Sequence, residues 1–246
     1  MIAKAPGFPL EVGMRRTTPG NVDSTQLLPD RVKQAESHAP AEVIRKLEPL
    51  VLERRCERIK AVLARRLDSV TVVFDSPYDP HNGAAIIRSC EAFGVQRLHV
   101  IERTITFLAA PSVTRGAEKW IDVCSHTAAD TVLAELHASG HTLVAAHPEG
   151  ELLPEELARI PRVALVMGNE RYGVGPDIMS ACSARVRVPM RGFIESLNVS
   201  VTAAILLASA TSGREGDLSE MELQRLYARG LFFSVEQAEM VLAELG

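Results

Sequence analysis

From Val70 to Met167 short apolar runs alternate with helical stretches and loops of turn-forming residues, without an internal sequence repeat. The apolar runs are TVVFD (71–75), Arg97–Ile101, a segment near Ile121–Cys124, Thr142–Ala146 and Val163–Met167. Helical patterns fall between them at Ala84–Phe93, closed by Gly94, and at Ala128–Ala138, closed at Gly140. Glycine suits a helix C-cap because it adopts the left-handed conformation without steric cost. Unbroken apolar strands that alternate with helices predict an α/β fold with a mostly parallel sheet, covered on both faces. Such sheets bind ligands beyond the carboxyl ends of their strands. Three loops then stand out, at 76–83, 168–177 and 189–196, each following a strand.

The third loop leads into RVRVPMRGFIESLNVSVTAAILLA (185–208). Val186 and Val188 fit a strand, and Pro189 ends it because proline donates no ladder hydrogen bond. Gly192 permits a sharp reversal. Ser196 is expected to cap the helix that follows. Val199, Val201 and Thr202 are mediocre helix formers, so burial must hold this helix. Ser196 and Asn198 beside an apolar wall of Val188, Met190 and Leu197 fit the mouth of a small-molecule site.

The flanks differ from this centre. Residues 1–40 carry prolines and glycines without sustained periodicity, which predicts a disordered leader. Ala41–Leu47 reads as a short helix and Leu50–Leu67 as a longer one, with Leu52, Cys56, Ile59 and Leu63 on one face. Arg54, Arg58 and Arg65 project from the other face within about 40° of one another. Residues 45–66 hold eight basic and three acidic side chains, although the formal net charge of the chain is −4. A solvated face explains such a stripe, and so does a track of phosphates. TSGREGD (211–217) reads as a linker, with terminal helices at Leu218–Ala228 and Val235–Leu245. The expected plan is a leader (1–40), basic helices (41–68), the α/β domain (69–212) and a helical extension (213–246). The four cysteines form no C-x-x-C pair, and no signal peptide or bilayer-length apolar run is visible. A cytoplasmic protein with reduced thiols is expected, with no membrane partner.

Several chemistries fail on spacing. MGNERYGVG (167–175) is glycine-rich but lacks G-x-G-x-x-G and the acidic residue about twenty positions on that reads a ribose, so a dehydrogenase is disfavoured. Ser196 lacks the G-x-S-x-G elbow of a hydrolase nucleophile. The seven histidines form no H-E-x-x-H motif, and no metal is expected. Other residues keep two readings each. Asn82 suits a helix N-cap or a site. Arg88, amid Ala84, Ala85, Ile86 and Ile87, fits a structural ion pair or a site residue. Glu170 fits a helix-start charge or a carboxylate that orients a partner.

Three stretches carry a resemblance: NGAAIIR, ending at Arg88; LVMGNERYGV (165–174); and VPMRGFIESLNVSVTAAILL (188–207). In order and spacing they resemble the SpoU branch of the SPOUT methyltransferases. RCERIKAVLARR (55–66), DPHNGAAIIRSCEAFGV (79–95) and RGAEKW (115–120) make the chain most similar to the TrmH-type enzymes that methylate the ribose 2′-hydroxyl of guanosine 18 in tRNA. The resemblance implies a Rossmann-like parallel sheet whose C-terminal part forms a deep trefoil knot, an exception to unthreaded topology. It also implies S-adenosylmethionine as cofactor and a homodimer. By motif position, Ala146, Gly168, Val188, Ser196 and Leu197 would contact the cofactor. Arg88 would be the catalytic arginine, in the company of Asn82, Glu170, Ser196 and Asn198. Arg58 and Lys119 would contact RNA, and the helix stripe adds Arg54 and Arg65 as candidates for the same contact.

Two departures from the family pattern stand out. Arg191 and Glu195 are charged where relatives carry neutral residues. ASATSGREG (208–216) keeps only Arg214 of an arginine-rich run. The expected geometry places the Arg88 guanidinium facing the methyl donor between the last two glycine turns. Rival readings are a ribosomal RNA 2′-O-methyltransferase and a knotted RNA-binding protein without catalysis. Residues 1–40 hold too little core for the small RNA-binding domain common in the ribosomal enzymes, and the polar site residues argue against the inactive reading.

Overall fold

A computed structural model describes residues 27–103, 114–169 and 171–243. Six strands form one sheet: β1 (Leu67–Asp75), β2 (Val95–Ile101), β3 (Asp122–His126), β4 (Thr142–Ala146), β5 (Val163–Met167) and β6 (Ala184–Val186). All pair in parallel, in the order β3-β2-β1-β5-β4-β6. The helices are α1 (Leu27–Glu36), α2 (Pro40–Leu47), α3 (Glu53–Leu63), α4 (Pro80–Ala92), α5 (Ala129–Ala138), α6 (Pro176–Ala181), α7 (Val199–Ala210), α8 (Glu220–Phe232) and α9 (Ala238–Ala243). The parallel α/β expectation holds, and β4 and β5 fall where their valine runs put them.

Strand residues alternate between two cores, which is why β1 is apolar at successive positions. Val72, Phe74, Leu98, Val100 and Leu165 pack with Ile86, Ile87 and Cys90 of α4 and with Ala203, Leu206 and Leu207 of α7. Val73, Ile101, Leu143, Ala145 and Val166 pack on the opposite face with Val132 and Leu136 of α5 and Ile178 of α6. A third core is entirely helical: Val43, Leu47, Ile59 and Leu63 from the N-terminal helices meet Leu226, Leu231, Phe232 and Leu242 from the C-terminal ones. Among the described residues, no helix is long and apolar enough to cross a membrane.

Ion pairs fasten this helical body to the sheet edge. Arg225 donates to Asp122 at 2.6 Å and Arg229 donates to the other carboxylate oxygen at 2.5 Å, while both also reach Glu36. Burial raises the Asp122 pKa, but the Arg225 hydrogen bond and the charges of Arg229 and Arg225 outweigh it and hold the group down to about 2.

Three local expectations are corrected. The leader does not run to residue 40, because Leu27–Glu36 is helical, buries Ala35 and pairs Glu36 with α8; residues 1–26 lie outside the described residues. The long basic helix spans Glu53–Leu63, and Leu52 is exposed at its N-cap instead of facing the core. The C-terminal helix α8 starts at Glu220, because Ser219 and Glu222 form a reciprocal capping box. Arg214, the remnant of the basic run, is committed to structure. Its guanidinium donates to the carbonyls of Ala210 and Pro161, each at 2.7 Å, and also to that of Ile160.

Candidate active site

At the carboxyl ends of β4, β5 and β6 the chain leaves a cavity of about 500 Å³. Ala146, His147 and Pro148 follow β4; Gly168, Asn169 and Gly173 follow β5; Val186, Val188 and Met190 come from β6 and its extension. Residues 195–199 and Thr202 close it. The position follows from topology. The strands are all parallel, so their carboxyl ends share one side of the sheet, where such sheets take ligands, and the cavity lies over the neighbouring strands β5, β4 and β6.

Backbone crowding shapes the walls. A Cβ on Gly168 would sit 2.1 Å from the carbonyl carbon of Gly173, so only glycine fits. Here Asn169 and Gly173 form an antiparallel bridge, with N–H···O distances of 3.2 and 3.0 Å, and Gly173 takes φ +67°. The Asn169 side chain accepts from the amides of Arg171 and Tyr172 at 3.0 and 2.8 Å, closing the turn. On the other wall a Cβ on Gly150 would meet the Val186 carbonyl carbon at 2.5 Å, and His147 donates its amide to Val186 O at 3.0 Å.

All five residues proposed by motif position for a cofactor, Ala146, Gly168, Val188, Ser196 and Leu197, line this one cavity, and Asn198 joins them. Ser196 does not cap the helix. Residues 196–198 precede the helix, and Asn198 is the N-cap of α7, accepting from Ser200 N at 2.8 Å and from Ser200 Oγ at 2.6 Å. Asparagine favours this position because its short carbonyl reaches an orphan amide two residues on. The other end of the Asn198 amide donates to Asn82 Oδ1 at 3.0 Å. Asn82 itself is buried in the first turn of α4, whose N-cap is Asp79. The two asparagines thus tie the mouth of α4 to the mouth of α7 across 116 residues of sequence.

Arg88 lies elsewhere. It is exposed on α4 and opens onto a second depression of about 870 Å³ with Ala85, Thr114, Arg115, Trp120, Ser200 and Val201. It makes no hydrogen bond or ion pair with another described residue. The expected facing of Arg88 toward the glycine turns is therefore not met within one chain. The first turn of α7 is the wall between the two depressions: Val199 and Thr202 face the first, Ser200 and Val201 the second. Glu170 lies outside the described residues. Arg54, Arg58 and Arg65 are exposed on and just after α3, while Lys119 sits over the Phe233 ring at 5.7 Å.

One polar network escaped the sequence reading. Asp75, buried at the end of β1, accepts from Arg103 Nε and Gly175 N, each at 2.7 Å, and Arg103 also donates to Asp177 at 2.7 Å. Hydrogen bonds donated to Asp75 and then to Asp177 raise the Arg103 pKa, and the Arg103 bond lowers that of Asp177. Beside it, Arg171 stacks 4.0 Å from the Tyr78 ring and donates to its hydroxyl at 2.9 Å. These contacts pin loop 168–177 to the loop after β1. The one available signal was an aspartate at the end of each segment, in TVVFD and GVGPD.

Comparison with known proteins places this geometry. Residues 69–208 match the SpoU rRNA Methylase family. The tRNA (guanosine(18)-2′-O)-methyltransferase of Aquifex aeolicus (strain VF5) is 31% identical over 198 residues, which is 77% of this chain and 94% of that protein. A crystal structure of the A. aeolicus TrmH/SpoU tRNA modifying enzyme superposes with a TM-score of 0.67 at 29% identity, covering 75% of this chain and 98% of the other. The SpoU methyltransferase AviRb from Streptomyces viridochromogenes, solved in complex with AdoMet, superposes with a TM-score of 0.53 at 26% identity over 60% of each chain.

Proposed function

The chain belongs to the SpoU methylase family, and on that premise we propose that it transfers a methyl group from S-adenosylmethionine to a ribose 2′-hydroxyl of tRNA, at guanosine 18 in the D-loop. One observation carries the reading: five residues assigned by motif position, spread over 52 positions of sequence, converge on one cavity above the strand ends. The cavity fits the cofactor chemically. Ala146, Met167, Val186, Val188 and Leu197 give an apolar wall for an adenine ring, and Ser196, Asn198, Asn169 and Glu195 give a polar side for an amino acid moiety. The glycine at 168 leaves room where any side chain would collide. Bound there, S-adenosylmethionine supplies a methyl group on a positively charged sulfur.

The chain's own residues then have separable roles. Ala146, Gly168, Val188, Ser196 and Leu197 bind and orient. Asn198 and Asn82 fix the angle at which α7 meets the cavity. By motif position alone, Glu170 is assigned to the same polar group. Arg88 holds the RNA backbone and stabilises negative charge as it develops on the attacking oxygen. Arg88 is exposed, and a guanidinium presents five donors in a fixed fork that matches a phosphate, which favours this clamp role over that of a base.

Arg88 and the cavity lie on opposite sides of the first turn of α7, so one chain does not complete the site. A homodimer joined through α4 and α7 completes it. The support is that α7 is apolar on its outer face too, with Val201 46% exposed and Ala204, Ile205 and Ala208 lining the same depression. The segment after β6 returns beside loops 147–152 and 168–173, which supports a trefoil knot in this part of the domain. The helices before and after residues 69–212 act as one RNA-binding module, with Arg54, Arg58, Arg65 and Lys119 toward tRNA. The protein works in the cytoplasm.

The test is direct. Methyl-labelled S-adenosylmethionine is incubated with the protein and either unmodified tRNA or ribosomal RNA, and the methylated ribose is mapped. Label at guanosine 18 is the expected outcome. Label confined to ribosomal RNA moves the substrate assignment to the rival reading, and cofactor binding without transfer to either RNA ends the catalytic one.

A further inference from the structure

At the far edge of the sheet from the cavity, three side chains meet that the reaction does not use. His99 is on β2, His126 ends β3 and Glu135 is on α5. Strand register brings them together, since His99 pairs with Cys124, two residues before His126, and residues two apart on a strand share a face. That face is the one α5 covers.

The donor atoms converge. His99 Nδ1 lies 3.0 Å from His126 Nε2 and 3.9 Å from a Glu135 oxygen, and one ligand atom from each of the three falls within 4.8 Å of the others. Atoms bound to one tetrahedral zinc at about 2.0–2.1 Å sit roughly 3.4 Å apart, so the observed spacings bracket that value.

Proton placement supports the same reading. Thr131 Oγ1 donates its hydrogen to Ala128 O at 2.8 Å. It therefore meets His126 Nδ1, 3.4 Å away, as an acceptor. A proton on His126 Nδ1 would meet that acceptor and leave the Nε2 lone pair facing His99. This is the arrangement of a metal-ligating histidine whose second nitrogen is held by a neighbouring oxygen. Without metal, His99 Nδ1–H fills the gap by donating to that lone pair. With metal, His99 carries its proton on Nε2 and turns the Nδ1 lone pair inward.

The remaining histidine pair contrasts with this. His137 and His141 are four apart, but the Gly140 turn separates them, and both His141 nitrogens are engaged, by Ser139 Oγ at 2.8 Å and Asp68 O at 3.0 Å.

We propose that His99, His126 and Glu135 form a site for one divalent transition metal of the zinc class, open at its fourth position and separate from the methyl-transfer site. It departs from the sequence expectation of no metal, which rested on short-range motifs. A metal there would fasten β2, β3 and α5, and β3 is also where Asp122 anchors α8.

The full chain, stripped with chelator, is titrated with Zn²⁺ by calorimetry and with Co²⁺ by visible absorption. One equivalent is expected to bind, to give the intense bands of a four-coordinate cobalt site, and to raise the unfolding temperature. Glu135→Gln and His126→Ala change partly exposed positions, and each is expected to weaken affinity at least tenfold. The metal-free unfolding temperature of each variant, compared with metal-free wild type, shows that it folds. Failure of the wild type to take up either ion overturns the proposal, and so does equal affinity in wild type and both folded variants.

Discussion

The Asn82–Asn198 hydrogen bond gives the sharpest test of how the candidate site is held. Replacing Asn198 by alanine removes two things. The first is the cap on Ser200 N, at 2.8 Å, and losing an asparagine cap costs about 1 kcal/mol. The second is the donor to Asn82 Oδ1, at 3.0 Å, whose net value is about 1 kcal/mol. The expected loss is about 2 kcal/mol, or a fall of about 4–8 °C in unfolding temperature for a chain of this size. Asn82→Ala removes the second contribution and not the first.

The double variant therefore loses less than the sum of the singles, with a coupling of about 0.5–1.5 kcal/mol. Asn198→Asp keeps the cap oxygen and loses only the amide donor, so it falls between wild type and alanine. The assay is urea unfolding of wild type, the two alanine variants and their combination, with calorimetric S-adenosylmethionine binding on the same samples. Affinity should track the coupling, because the same bond sets the approach of α7 to the cavity. Additivity within about 0.3 kcal/mol, with unchanged affinity in all variants, would refute the claim that these residues act as one unit.

Arg88→Ala should abolish methyl transfer while S-adenosylmethionine affinity stays unchanged by calorimetry, because Arg88 does not line the cavity; being exposed, it should alter stability by less than about 0.5 kcal/mol. Near-normal turnover would remove it from the mechanism. Replacing Arg54, Arg58 and Arg65 together by glutamine should reduce the slope of log affinity for tRNA against log salt by about two to three, one counterion's worth per lost phosphate contact. Val201→Glu, placed on the apolar outer face of α7, should give monomers in sedimentation and no methyl transfer; a dimeric variant would move the interface elsewhere. The Asp122 carboxyl has a folded pKa of about 2, below its ordinary value of 3.8. Its contribution is therefore present above pH 3.8 and is lost as pH falls toward 2. By linkage it amounts to about 2 kcal/mol, so an Asp122→Asn variant, already weaker at neutral pH, should show a shallower fall in stability over that window.

The sequence displayed the sheet because its strands are buried on both faces. Val163–Met167 and Thr142–Ala146 leave no polar face to blur the pattern. It displayed the cavity for a related reason: the lining residues sit directly after strand ends, where parallel topology sends ligands. What it hid depends on strand order. Asp75, Arg103 and Asp177 are separated by 28 and 74 positions and become neighbours because β1 lies between β2 and β5. Nor does local composition say that α1 finds a partner in α8, or that Arg214 is committed to backbone carbonyls, since both contacts reach far along the chain. The cap of α7 was misplaced by two residues for a smaller reason. Serine and asparagine both cap well, and the cap falls to Asn198, which also donates to Asn82 across the fold.

Helix α7 explains why the two depressions must be considered together. Its residues advance about 100° each, so Val199 and Thr202 share a side that Ser200 and Val201 do not. A helix of ordinary amphipathic pattern would offer one apolar face to the sheet and a polar one to water. This one has apolar residues on every side, with Leu206 and Leu207 in the core, Val199 in the cavity and Val201 and Ile205 on the outer depression. Three environments therefore select its sequence at once, which is why poor helix formers persist at its start. A change on the outer side reaches the cavity through the same first turn that Asn198 caps. Cofactor binding, subunit contact and the placement of Arg88 are for that reason expected to vary together when residues 198–202 are altered, and separately when the change lies on α4 beyond Asn82.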